Sequence, residues 1–162
     1  MTNEVFSALI RQNENSMYAV AYSILRNDHD AADAIGESIL RAYSTLDSLK
    51  NEKAFKPWLL KIIHNTCLET IRKQKITLDI DEQYDLADEK ASEDHSMRLA
   101  LRQAVESLKQ PYRTVVVLYY YENMSIKEIS LISGDSVQAV KKQLSRAREM
   151  LKNIIRKEDF FG

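Results

Sequence analysis

The run Ser125-Ile126-Lys127-Glu128-Ile129-Ser130-Leu131-Ile132-Ser133-Gly134-Asp135-Ser136-Val137-Gln138-Ala139-Val140-Lys141-Lys142-Gln143-Leu144-Ser145-Arg146-Ala147-Arg148 reads as a short helix, a turn and a longer helix. Ser125 and Glu128 have capping-box spacing: the hydroxyl takes the N–H three residues on, and the carboxylate returns to the N–H of the cap. Ile126, Ile129 and Ile132 then fall on one helical face and point inward. Gly134, within the turn Ser133 to Ser136, suits a left-handed backbone position. In the longer helix Val137, Val140, Leu144, Ala147, Leu151 and Ile154 recur at steps of three and four and define its core face. Gln138, Ala139, Lys141, Lys142, Ser145, Arg146 and Arg148 are left facing outward. This is the pattern of a helix-turn-helix. From Val137 to Lys157 there are seven basic residues and one acid, whereas a merely solvated face mixes signs, so the helix is expected to bind DNA. Gln138, Lys141 and Lys142 suit base edges, and Arg146, Arg148 and Lys152 suit phosphates.

Upstream, a helix is expected from Ser96 to Leu108 and another from Pro111 to Glu122, separated by Lys109-Gln110. Residues 76–95 carry eight acids against Lys90 alone, lack helical periodicity and repel one another, which predicts an extended acidic linker. Residues 96–162 hold 12 basic and 7 acidic side chains, and residues 1–75 hold 10 and 9, so the net charge of −1 conceals a basic C-terminal module. In the first module the apolar spacing predicts a helix from Val5 to Arg26 and a break at Asn27 to Asp30, with Asp28 or Asp30 as the next cap. A second helix follows from Ala31 to Leu46, with Asp33, Glu37, Ser38 and Arg41 away from its apolar face. A loop over Asp47 to Lys53 precedes a third helix, which starts near Phe55 or Pro57, runs to Ile71 and ends in Arg72-Lys73-Gln74-Lys75. The expected fold is all-α: helical domains at 1–75 and 96–162, joined by a flexible acidic linker at 76–95.

Only 3 Gly and 2 Pro in 162 residues suit helices better than a fold of many tight turns. A single cysteine excludes an internal disulfide and fits a reducing compartment. Met1-Thr2-Asn3-Glu4 does not begin a signal peptide, and the apolar run Val115 to Leu118 is too short to cross a bilayer, so a cytoplasmic protein without membrane insertion is expected. The sequence shows no Gly-rich phosphate loop, nucleophile–base pairing or metal cluster, so no enzyme, catalytic residue, cofactor or metal is expected. His29, His64 and His95 lie in separate segments without ligand spacing.

The stretch Tyr119 to Ser130, followed by Val140-Lys141-Lys142-Gln143-Leu144-Ser145-Arg146-Ala147-Arg148, resembles the DNA-reading C-terminal domain of extracytoplasmic-function sigma factors. Ala139 stands where that family usually has Thr, and Lys142 where it has Ser. Tyr18 to Ser38 resembles the family's core-binding helices, with Gly36 replacing a usual Gln. Phe55 to Asn65, with Glu69 and Arg72, resembles the helix that captures the melted minus-ten element, Glu69 replacing a usual Asp. The resemblance implies that Asp33, Glu37, Ser38 and Arg41 bind core RNA polymerase, and that Lys61, His64, Asn65, Glu69 and Arg72, with the loop at 47–53, hold the unpaired minus-ten strand. It further implies that the last helix reads the minus-thirty-five duplex of promoter DNA, and that an anti-sigma factor is a partner.

Trp58 could stack on a base, but its apolar neighbours Leu59 and Ile62 suit a core position better. Asn65 fits either a base contact or a local backbone cap. Cys67 reads as a small buried thiol, and at least one of Tyr119, Tyr120 and Tyr121 must fill the core. The competing reading is a stand-alone regulator that binds duplex DNA through its C-terminal module and uses the first module for dimerisation or sensing.

Overall fold

A computed structural model of the chain describes residues 1–81 and 97–157. Among these residues there are eight α-helices and no strand: α1 (Asn3–Gln12), α2 (Glu14–Leu25), α3 (Asp28–Ser44), α4 (Phe55–Asp81), α5 (Met97–Glu106), α6 (Tyr112–Val116), α7 (Ile126–Ser133) and α8 (Val137–Lys157). Among the described residues no helix is long and apolar enough to cross a membrane. The acidic segment 82–96, with His95 and the expected helix start at Ser96, lies outside them.

Local chemistry moves several boundaries from their expected places. The helix expected over Val5 to Arg26 breaks at Asn13, whose buried side-chain amide donates to the Leu9 carbonyl at 2.8 Å and so competes with the main-chain ladder. Asn27, rather than Asp28 or Asp30, caps α3, its side-chain oxygen accepting from the Asp30 N–H at 2.8 Å. The loop between α3 and α4 contains 3-10 turns at Leu46–Ser48 and Glu52–Ala54. Trp58 is tied to that loop, its indole N–H donating to the Ser48 hydroxyl at 3.0 Å while its ring packs beside Phe55. Helix α4 continues through Asp81, six residues into the stretch expected to be extended. Propagating a helix that packing has already nucleated forms one hydrogen bond for each residue fixed, so a weakly patterned tail can follow a strong start.

Helix α6 runs into a π-helical turn at Val117–Tyr121. The predicted capping box at Ser125 and Glu128 is present in both directions, at 3.0 and 2.9 Å. Gly134 takes the left-handed backbone, φ 84°, that ends α7. Val140, Leu144 and Ala147 are buried as their spacing requires, while Val137, in the first turn of α8, is 37% exposed.

The modules do not stand apart. Met17, Leu59 and Ile63 of the first belong to the same continuous apolar cluster as Leu118, Ile129 and Leu144 of the second. Helix α2 packs on α6 and the turn after it, and α4 packs on α7. At the seam Arg113 is buried, 6% exposed, with Nε donating to the Ser23 carbonyl at 2.5 Å and Nη1 to the Leu108 carbonyl at 2.6 Å. Ser23 lies in the last turn of α2, where carbonyls lack intrahelical partners and a cation complements the helix dipole. Gln110 also donates to this carbonyl, and the Ser23 hydroxyl meets that of Thr114 at 2.9 Å. Burial pushes the Arg113 guanidinium down to about 10, which leaves it charged at neutral pH.

Replacing Ser125 with Ala removes the hydroxyl half of the capping box and is expected to cost about 1 kcal/mol, read as a lower urea midpoint with an unchanged slope.

Candidate nucleic-acid interface

Three hydrogen bonds brace the turn that aims α8. The Ser130 hydroxyl donates to the Asp135 carbonyl at 2.6 Å, the Asp135 N–H donates to the Ser133 hydroxyl at 3.1 Å, and Gln143 Nε2 donates to Asp135 Oδ2 at 3.0 Å. Ser136 starts the helix, its hydroxyl accepting from the Ala139 N–H at 3.1 Å. The outward face forms as expected: Gln138, Lys141, Lys142, Ser145, Arg146 and Arg148 are exposed and Ala139 is half-buried. Arg148 is anchored from behind. Its Nε donates to the Tyr120 hydroxyl at 2.6 Å, and its guanidinium lies over the Tyr119 and Tyr120 rings at 5.9 and 5.8 Å. Such cation–π contacts hold a guanidinium plane without consuming all five of its donors.

The α4 candidates do not share one face. Glu69 turns toward α3, where it accepts from Arg41 Nη2 at 2.9 Å; Arg41 also meets Glu37 at 3.1 Å and the Thr66 hydroxyl at 3.2 Å. The hydrogen bond from Arg41 holds the Glu69 carboxyl below its ordinary range, but all three charged groups are open to solvent, so their attraction is screened. This network joins a residue expected to touch polymerase, Arg41, to one expected to touch DNA, Glu69.

Lys61 and His64 instead lie against the second module. Lys61 Nζ donates to the main-chain carbonyl of Leu131 in α7 at 3.0 Å. His64 is half-buried, and among the described residues its Nδ1 is buried without a hydrogen-bond partner. Burial lowers its pKa from 6.5, with Asn65 and Asp135 acting the other way and Lys61 adding to the depression. Asn65 and Arg72 are exposed on α4.

On α3, Asp33 and Glu37 are exposed, as their positions predict. Ser38 is not available to a partner. It is wholly buried, its hydroxyl turned back onto the Ala34 carbonyl at 2.7 Å, because its position falls on the side of α3 that meets the core. Sequence reasoning also missed Arg113 and Glu122 as seam residues. A lone arginine opening the apolar run Thr114 to Leu118 was the available signal for the first; nothing local marks Glu122.

Comparison with known proteins agrees with this architecture. Residues 9–76 match Sigma-70 region 2, and residues 98–151 match Sigma-70 region 4. The chain is 30% identical to the RNA polymerase sigma factor SigV of Bacillus subtilis (strain 168), over 98% of this chain and 95% of SigV. It is 31% identical to the ECF RNA polymerase sigma factor SigW of the same organism, over 94% of this chain and 90% of SigW. In fold it is similar to the sigma factor RpoE of Bartonella quintana, solved in complex with the anti-sigma factor NepR, with a TM-score of 0.80 and 21% identity over 94% of this chain and 98% of that one. A region 2 module followed by a region 4 helix-turn-helix, over nearly the whole length of its relatives, makes this chain a member of the extracytoplasmic-function sigma factors of the sigma-70 family.

Proposed function

We propose that the chain is an alternative sigma factor of the cytoplasm that binds core RNA polymerase, directs it to a set of promoters and is held in check by an anti-sigma factor. The observation that carries this reading is a braced helix-turn-helix with a basic outward face, in the same chain as a region 2 module. The protein itself performs no covalent chemistry. Its contribution is binding free energy, first to polymerase and then to promoter DNA as duplex contacts give way to single-strand contacts.

In this reading Gln138, Lys141 and Lys142 face base edges of the minus-thirty-five duplex, with Ala139 and Ser145 close to the groove floor. Arg146 and Arg148 neutralise phosphates, the tyrosine ledge holding Arg148 so that less side-chain freedom is lost on contact. Asp33, Glu37 and Arg41 form the polymerase-facing side of α3, from which Ser38 is withdrawn. Asn65, Arg72 and the exposed Lys61, together with the half-buried His64, receive the unpaired minus-ten strand, and Glu69 acts through Arg41. Anti-sigma control is proposed by likeness of fold to RpoE, which was solved with NepR.

In vitro transcription with core polymerase and a promoter library tests the proposal. Selective initiation that depends on this chain is expected. Failure to bind core polymerase, combined with tight duplex binding by the pure protein, would point instead to a stand-alone regulator. Arg146→Ala should weaken promoter binding and reduce the salt slope by about 0.9, the loss of one phosphate contact on B-form DNA. An unchanged slope would remove Arg146 from the interface. Lys142→Ala should redistribute preference among minus-thirty-five sequences by about 1 to 3 kcal/mol at one base position. Uniform weakening would make Lys142 a phosphate contact.

A further inference from the structure

The basic face of α8 has a neighbour along one flank. Lys141, Ser145, Arg148 and Lys152 recur at steps of four, three and four, and all are exposed, so they line one side of the helix. The segment that meets this flank is the π-helical turn Val117–Tyr121, where the Glu122 N–H donates five residues back to the Val117 carbonyl at 3.0 Å. Turns of this kind are rare, and where they occur they often serve a site. Here Val117 and Leu118 are buried, Tyr119 is half-buried, and Tyr120 stands 47% exposed beside Arg148. The Tyr119 and Tyr120 rings meet edge to face at 4.9 Å, so the inner ring props the outer one.

The hydrogen bond between Arg148 and Tyr120 runs in one direction. Arg148 Nε donates at 2.6 Å and the phenolic oxygen accepts, because a guanidinium has no acceptor atom. The phenolic proton is not spent on this contact. Among the described residues nothing accepts that proton or engages the Nη groups of Arg148. A hydroxyl whose oxygen receives a cationic donor becomes a stronger donor itself, since hydrogen bonds in a chain polarise one another.

We infer that Tyr120 is a DNA-contacting residue: its hydroxyl donates to a backbone phosphate of the minus-thirty-five duplex beside the Arg148 guanidinium, the two side chains forming one phosphate seat. The inference rests on the reading that α8 lies in that duplex, and it adds a second element, the π turn, to the interface. A phosphate offers several anionic acceptor oxygens, and a cation next to a polarised neutral donor can serve two of them. Tyr120 loses little side-chain freedom on contact, because its ring is already held between Tyr119 and Arg148.

The test uses holoenzyme, with core polymerase saturated by wild type, Tyr120→Phe, Arg148→Ala or Tyr121→Phe. The probes are promoter duplexes in which single phosphates across the minus-thirty-five element are replaced by neutral methylphosphonates. Tyr120→Phe keeps both rings and deletes only the hydroxyl. It is expected to weaken promoter binding by about tenfold, the loss of a hydrogen bond to a charged group. Its salt slope should match wild type, because a neutral donor releases no counterion, whereas Arg148→Ala should lower the slope by about 0.9. At one phosphate the methylphosphonate should weaken wild type about tenfold more than it weakens Tyr120→Phe, the non-additivity that marks a shared contact. Tyr121→Phe, whose hydroxyl lies toward Arg102 and Glu106 of α5, is expected to match wild type at every position. The inference is overturned if Tyr120→Phe binds as tightly as wild type. It is equally overturned if the losses from Tyr120→Phe and methylphosphonate simply add at every phosphate, which would leave the tyrosine as a prop for Arg148. Should Arg146→Ala and Arg148→Ala also leave promoter binding untouched, the placement of α8 in the duplex fails; if they weaken it and Tyr120→Phe does not, only the phosphate seat fails.

Discussion

A buried guanidinium organises this molecule. Arg113 is taken out of water without, among the described residues, a carboxylate paired to it, and it is tolerated because it donates to main-chain carbonyls at helix ends. One of them, the Ser23 carbonyl, belongs to the exposed-dipole end of α2, and the other closes the C-terminal side of α5. The same side chain thereby finishes a helix in the first module and braces the approach to α6 in the second. Undoing that arrangement strands a charge and orphaned acceptors together, so the seam behaves as a unit and not as a set of separable contacts.

Helix α4 occupies the centre of the consequences. One side supplies Leu59 and Ile63 to the apolar cluster, another carries Glu69 and Thr66 to Arg41, and a third meets α7. A helix with three claimants has little free surface, which explains why residues consecutive on its wheel have such different surroundings. The opposite holds for α8. It is buried along a single stripe, and its basic side chains stand exposed.

The second module was the more legible in sequence because its signals are local. A capping box, a left-handed glycine and an apolar stripe each depend on residues within a few positions of one another, and each forms as read except at Val137, which heads the stripe and stays exposed. Asn13 and Asn27 show where such reading runs short: both are ordinary polar residues until their side chains are seen competing for, or capping, specific backbone groups. Ser38 reads with Asp33, Glu37 and Arg41 as facing away from the apolar side, yet a hydroxyl that bonds its own helix carbonyl can be buried at little cost. Glu122 and Arg113 are hard to read for a different reason: their partners across the seam lie 66 to 106 residues away in the chain.

Cys67 sits deep in the first module, fully buried, and its surroundings push the thiol up to about 12. Thiolate is the reactive form, so at neutral pH this sulfur is nearly inert towards oxidants and alkylating reagents. As it is the chain's single sulfhydryl, redox chemistry has no ready handle on the folded protein. Its modification rate becomes instead a clock for how often the core of α4 opens, and cysteines introduced on the surface can carry probes without interference from the native one.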